Sequence, residues 1–131
     1  MAGFMLGVQL VIYPAFRHVG EASFTGYVTA HSTAIVRALA LLAPAEVVLA
    51  LWMFLDTPVG ISRAVVFISG ALLATGWVAT GVWYAPLHGR LQQGYDGDRI
   101  ELLIRTNWLR TLLWLVRAAL AVWFLVAASS S

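Results

Sequence analysis

Four apolar stretches dominate the chain, and polar or turn-forming residues separate them. They lie at about residues 2–16, 32–55, 62–87 and 98–128. A helix needs about 20 apolar residues to cross a bilayer core of roughly 30 Å, and the last three stretches reach that length. The pattern therefore predicts an all-α fold, a four-helix transmembrane bundle that forms one integral membrane domain over residues 1–131.

The first stretch is shorter than the other three. As a helix over residues 2–16 it falls short of the roughly 30 Å that the bilayer core requires, because each residue adds only about 1.5 Å. Such a helix is tilted in a locally thin bilayer, starts late, or has its end shielded by a neighbouring helix. We expect a late or short start.

Short amphipathic segments come before the second and fourth stretches. Residues 24–31 carry apolar and aromatic side chains at i, i+3, i+4 and i+7, which indicates an interfacial segment or an extension of helix two. Residues 98–101 resemble a capping box that starts a similar segment before helix four. We expect Pro14 and Pro86 to end helices one and three, because proline disfavours a helical residue before it.

Composition supports a lipid-facing surface. Hydrophobic residues make up 61% of the chain and charged residues 11%, about half the charged fraction of an ordinary soluble domain. The absence of cysteine excludes disulfides and thiolate metal sites. The eight basic residues are all arginines, and they form no basic stripe of the kind that binds nucleic acid.

The arginines predict the orientation of the chain. Most of them lie in or beside the first and third connections, so the positive-inside rule places loops 17–31 and 88–105 in the cytoplasm and both termini outside. Aromatic residues near those loops fit a belt at the cytoplasmic interface. The residues expected in this belt are Trp83, Tyr84, Tyr95 and Trp108.

Two ionisable residues lie in the middle of apolar stretches. Glu46 lies in the second and Arg117 in the fourth, at similar expected depth. A charged side chain at the bilayer centre is costly, so we expect these two to form a buried ion pair. Such a pair fixes helix register, or it forms a charged site for a ligand or a proton.

A polar and aromatic stripe runs along the fourth stretch. Its positions i, i+3, i+4, i+7 and i+10 share one helix face, which should point at other helices or at a wet cavity. The alternative is interfacial snorkelling by Arg110. Gln9 and Tyr13 of the first stretch are further candidates for lining a ligand site. The stripe consists of Asn107, Arg110, Thr111, Trp114 and Arg117.

Three histidines map to the expected cytoplasmic end, namely His18, His31 and His88. They are interfacial and wetted, or they bind a metal, or one of them ligates a haem or pigment. Their spacing matches no metal-binding motif, so the identity of any cofactor stays open. Together with Asn107 and Arg110, His31 and His88 are the candidate catalytic residues.

A resemblance covers nearly the whole chain. Its most specific part is the run Asn-Trp-x-Arg-Thr-x-x-Trp-x-x-Arg from Asn107 to Arg117. With segments 7–14 and 86–88, this run resembles a family of small uncharacterised bacterial four-helix membrane proteins. Their architecture is distantly similar to that of anthrone-oxygenase-like membrane proteins. The resemblance implies four helices, a bacterial inner (cytoplasmic) membrane location and a site near Asn107 and Arg110.

Three functions fit these features. A non-catalytic accessory subunit of a larger membrane complex would have protein partners in the bilayer or form a homo-oligomer, and the short first helix favours it. A small oxygenase-like or isomerase-like enzyme would act on an apolar aromatic or quinone-like substrate, with Arg110 and Asn107 stabilising an oxyanion and a histidine moving a proton. Transport or a proton leak through Glu46 and Arg117 is the third.

Overall fold

The computed structural model describes residues 1–129, and this part of the chain is helical with no β-strand. It contains four helices joined by short connections. Helix α1 covers residues 2–18 and changes type along its length. The other three helices are α2 (Glu21–Leu55), α3 (Arg63–Leu91) and α4 (Gly97–Ser129). The all-α prediction is confirmed.

Three of these helices are long and apolar enough to cross a membrane, namely α2, α3 and α4. Helix α1 has 17 residues and is not among them. The finding agrees with a membrane protein, and it gives three candidate spans where the hydrophobic pattern predicts four. The physical reason is length, since α1 is short of the roughly 20 residues that a span requires.

The expectation that prolines end α1 and α3 is wrong. Each proline lies in the first turn of an ordinary helical segment, where its missing N–H costs little. A π-helical segment comes just before, at Val8–Ile12 in α1 and at Thr80–Tyr84 in α3. Helix α1 therefore continues to His18 and α3 to Leu91.

The amphipathic stretches before helices two and four are parts of those helices. Residues 24–31 lie within α2 and residues 98–105 within α4. Their apolar side chains enter one buried cluster with side chains of α1 and α3, which explains the helical spacing. Buried members from these two stretches are Phe24, Val28, Ile100, Leu103 and Ile104.

The connected ends of the helices are tied by polar and aromatic contacts. Arg17 at the end of α1 donates two hydrogen bonds to Glu101 of α4, at 2.5 and 2.7 Å. Phe16 packs edge-on against Phe24 of α2, with ring centroids 6.1 Å apart. The end of α1 is thereby fixed against both α2 and α4.

Helices α3 and α4 are in close contact at Gly76. A β-carbon at this position would lie 3.2 Å from Cδ2 of Leu113 and 3.3 Å from the ring of Trp114. Two other glycines of α3, Gly70 and Gly81, have no such neighbour within 4 Å. The absence of a side chain therefore matters at Gly76 alone among these three.

Candidate functional site

A cavity of about 190 Å³ lies inside the bundle. Its wall is mostly apolar and comes from all four helices. Five of the site candidates from the sequence line it, namely Tyr13, His31, His88, Arg110 and Trp114. This volume exceeds that of an engineered cavity of about 150 Å³ that binds benzene. The lining residues with polar side-chain atoms are Tyr13, His31, Ser32, Trp77, Thr80, Tyr84, His88, Gln92, Arg110 and Trp114.

A buried hydrogen-bond network, here called the floor network, lies next to this cavity and connects to it through Arg110. Gln9 donates from Nε2 to the backbone carbonyl of Ile104 (3.1 Å), and its Oε1 accepts from Nδ2 of Asn107 (2.7 Å). The same Asn107 amide lies 3.3 Å from Oγ1 of Thr111. Buried polar groups are stable only when they are hydrogen-bonded, and here each one fixes the next. The network therefore holds Asn107 in one orientation.

Asn107 in turn orients Arg110, which is 9% exposed. Arg110 donates from Nε to Oδ1 of Asn107 (3.0 Å) and from Nη1 to Oγ1 of Thr80 (3.4 Å). Its guanidinium carbon lies 4.2 Å from the ring centroid of Tyr84. None of the carboxylates in the described range pairs with it. The site thus contains a buried cation held only by neutral groups.

The third contact of Arg110 begins a directed chain of donors. Arg110 Nη2 donates to the hydroxyl of Tyr13 at 3.2 Å, and this hydroxyl lies 2.8 Å from Nε2 of His88. Because Arg110 cannot accept, the Tyr13 hydrogen has one acceptor within reach, Nε2 of His88. A neutral His88 then carries its proton on Nδ1. The chain of donors therefore ends at the Nδ1–H of His88.

That final donor has no partner. Four buried side-chain atoms among the described residues lack one, and the residues that carry them all line the cavity. A buried unpaired donor or acceptor is costly, so four of them around one space indicate a site for a polar ligand or for ordered water. The atoms are His31 Nε2, Ser32 Oγ, Trp77 Nε1 and His88 Nδ1.

The structure brings two of the three candidate histidines together. The ring centroids of His31 and His88 are 5.8 Å apart, and Tyr13 lies beside both. His18 is exposed at the end of α1 and does not line the cavity. Within residues 1–129 there is no group of three His, Cys, Asp or Glu residues that could hold a metal ion.

The π-helical segments place the key side chains. Gln9 lies within the first segment and Tyr13 directly follows it, while Thr80 and Tyr84 are the ends of the second. A π turn adds one residue to a helical turn and often occurs at functional sites. Both widened turns here contribute side chains to the Arg110 environment.

Sequence reasoning misses part of this site. Tyr84, expected in an interfacial aromatic belt, is 4% exposed and donates to the carbonyl of Thr106 at 2.8 Å; that expectation is wrong for this residue. A signal was present, since Thr80, Tyr84 and His88 follow one another at intervals of four residues. The sequence pattern contains no comparable signal for Trp77 or Ser32.

Glu46 and Arg117 lie together, as their depth in the sequence predicts. Glu46 Oε2 is 2.5 Å from Nη1 of Arg117, whose Nε also donates to the carbonyl of Ser69 at 3.2 Å. The other Glu46 oxygen is 3.5 Å from the amino group of Met1, which lines the cavity. This pair is separate from the Arg110 network and lies toward the opposite end of the cavity.

Helix α2 forms one side of the cavity. Aromatic rings of α1 and α2 meet at one end, where Phe16 and His31 have centroids 5.1 Å apart, and Met1 meets Glu46 at the other. Between these contacts Val36 lines the cavity and is 65% exposed. The cavity wall is therefore partly exposed on the α2 side.

Comparison with family models, with curated proteins and with solved structures gives no match to this chain.

Proposed function

We propose that this chain is a small polytopic membrane enzyme with isomerase-like activity on a lipophilic, ring-bearing carbonyl compound. The supporting observation is the chain of donors from Arg110 through Tyr13 to His88, which ends at an unpartnered N–H beside an apolar cavity. Apolar cavities with a few converging polar groups are the usual form of small-molecule sites.

The donor chain suits an oxygen that becomes negative during reaction. Hydrogen bonds in series polarise one another. The positive charge of Arg110 therefore acts through the Tyr13 hydroxyl and makes the Nδ1–H of His88 a stronger hydrogen-bond donor. Preorganised donors of this kind stabilise an oxyanion more than the neutral carbonyl. We propose that the substrate carbonyl oxygen accepts from His88 Nδ1.

His31 is the proposed base. Its Nε2 is buried without a partner, and its ring lies beside that of His88. In the proposed step, Nε2 takes a proton from the carbon next to the carbonyl, and the C–H electron pair moves onto the oxygen as an enolate. We propose that the substrate carries a carbon–carbon double bond beyond that carbon, so the anion is a dienolate. The same nitrogen then returns the proton to the far carbon of the dienolate, and the double bond moves into conjugation with the carbonyl. The reaction is balanced without an oxidant.

Hydrogen exchange tests this proposal directly. Purified protein in mild detergent is mixed with 2-tetralone, a ketone on a naphthalene-sized ring, in deuterated buffer, and NMR follows loss of the hydrogens next to the carbonyl. We expect exchange above the buffer rate, and we expect His31→Gln to abolish the excess. His18→Gln is the matched control and should keep it. Equal hydrogen exchange by His31→Gln and His18→Gln would refute the proposed enzymatic activity.

The natural substrate is sought by a separate measurement. Mass spectrometry of compounds that remain with the protein after mild purification should find a lipophilic molecule with a ring carbonyl. Tyr13→Phe should reduce its amount, because the variant interrupts the donor chain.

The membrane placement is part of the proposal. We propose a bacterial inner membrane location, with loops 17–31 and 88–105 in the cytoplasm and both termini outside. The site then lies near the cytoplasmic interface, and the Glu46–Arg117 pair lies deeper.

An accessory-subunit role is the second candidate, and helix α2 favours it. None of the most apolar window of α2 is buried within the described protein. Arg37 is exposed on the same helix, and no described residue forms an ion pair with it. A partner with an acidic group would satisfy both observations. Co-purification with a larger complex at fixed stoichiometry, lost in Arg37→Gln, would support this role.

A further inference from the structure

Trp77 contributes a second unpartnered donor to the cavity. Its Nε1 is buried and has no hydrogen-bond partner, and the indole N–H can only donate. Trp77 takes no part in the network around Arg110. The proton-transfer chemistry leaves this group unexplained.

Trp77 and His88 serve different parts of the cavity. Both belong to α3 and are eleven positions apart, which corresponds to at most about 16 Å along the helix axis because part of this stretch is π-helical. The two residues line the same cavity. One donor therefore lies at the Tyr13 end of the space and the other well along it toward α4 residue Trp114, whose ring is 6.0 Å from that of Trp77.

The position of Trp77 is fixed by its neighbours. The preceding residue, Gly76, packs so closely against Leu113 and Trp114 that a β-carbon there would lie 3.2 and 3.3 Å from their side chains. The rings of Trp77 and Trp114 meet edge to face at 74°. A donor held in this way is preorganised, so little freedom is lost when it binds an acceptor.

We infer that Trp77 determines specificity by binding a second acceptor oxygen of the same ligand. The ligand class is thereby an elongated lipophilic molecule with oxygen functions at both ends, one at His88 and one at Trp77. This inference rests on the proposed binding of a carbonyl at His88, and it does not depend on proton transfer by His31.

A series of paired probes tests the inference. Each probe is 2-tetralone with a linear chain of two to eight carbons on carbon 6, made once with a terminal methyl ketone and once as the hydrocarbon of equal length. Affinity is measured by calorimetry with the intact protein in lipid nanodiscs. At one chain length we expect the ketone to bind about tenfold more tightly than its hydrocarbon twin, because it satisfies a buried donor.

Two variants test whether the preference for the ketone over the hydrocarbon comes from the indole N–H of Trp77. Trp77→Phe keeps an aromatic ring and removes the donor, so the two twins should bind equally. Trp83→Phe changes a tryptophan that is half exposed and outside this cavity, and it should keep the preference. Unchanged binding of plain 2-tetralone to Trp77→Phe shows that the variant is folded.

Three results would overturn the inference. The first is that no chain length distinguishes the twins, as expected if the ring of Trp114 already takes the N–H. The second is a preference that survives in Trp77→Phe. In both cases plain 2-tetralone still binds and the proposed site stands. The third is no binding of 2-tetralone to the wild type, which removes the proposed function as well.

Discussion

Gly76 lies so close to Trp114 that a β-carbon on the glycine would be 3.3 Å from the indole ring. This contact sets the spacing of α3 and α4 beside the cavity. We expect Gly76→Ala to reduce the free energy of unfolding by about 1–2 kcal/mol, because overpacking outweighs the better helix propensity of alanine.

Gly70→Ala is the matched control for that change. No atom lies within 4 Å of the added methyl group there, so only the helix propensity remains. Denaturant unfolding in one detergent gives both values. A Gly76→Ala variant as stable as Gly70→Ala would mean that the helices separate at little cost.

The ion pair of Glu46 and Arg117 should show strong coupling. Removing Glu46 leaves Arg117 without a carboxylate, and removing Arg117 leaves Glu46 with only the more distant amino group of Met1, at 3.5 Å. Removing both partners leaves neither of these two charges in the bundle. We expect Glu46→Gln and Arg117→Met each to cost roughly 1–3 kcal/mol, and the double variant to cost less than the sum. A thermodynamic cycle measures the coupling, and strict additivity would show that the pair contributes nothing.

Asn107 should be the most sensitive residue of the floor network. Asn107→Ala leaves Oε1 of Gln9 without its donor and Nε of Arg110 without its acceptor, and it should cost about 2 kcal/mol or more. Gln93→Ala removes an exposed side chain that makes no hydrogen bond among the described residues and should be neutral. Thermal unfolding compares the two variants, and equal midpoints would contradict the network's contribution.

Tyr13→Phe separates binding from stability. The change removes the hydroxyl that connects Arg110 to His88 and retains the ring. We expect 2-tetralone to bind about tenfold more weakly, which corresponds to one hydrogen bond to a charged group, while the fold is kept. Tyr27→Phe, whose hydroxyl has no partner within residues 1–129, should bind normally. Equal affinities would remove Tyr13 from the site.

The orientation is testable with single cysteines because the natural chain has none. A membrane-impermeant maleimide added to the periplasmic side should label Val59→Cys, which replaces an exposed side chain between α2 and α3. Ser23→Cys and Gln93→Cys should be labelled only after the membrane is permeabilised. The reverse pattern would invert the proposed topology.

The helices follow from the sequence because apolar length and composition control them. The pairing of Glu46 with Arg117 also follows, since both positions are counted along uninterrupted helices. The effect of Pro14 and Pro86 does not. A π turn has the same apolar pattern as an α turn, and the presence of a neighbour that stabilises it is a tertiary fact.

The candidate site is predictable in part for the same reason. Arg110 and Asn107 belong to one helix, and their spacing alone indicates a shared face. The meeting of Tyr13 with His88 depends on how α1 lies against α3, which periodicity does not encode. Trp77 resembles any other tryptophan of an apolar helix until its N–H is seen to lack a partner.

Each π-helical segment changes the rotation of the residues before it relative to the residues after it, about the helix axis. Each successive helical residue turns by about 100° around the axis, so removing Leu10, an exposed residue inside the first π segment, would rotate everything before it relative to Tyr13. Four helices would remain, yet Gln9 and Tyr13 would no longer face the same neighbours. We therefore expect the deletion of one amino acid to separate Gln9 from Asn107 while the helices themselves still form.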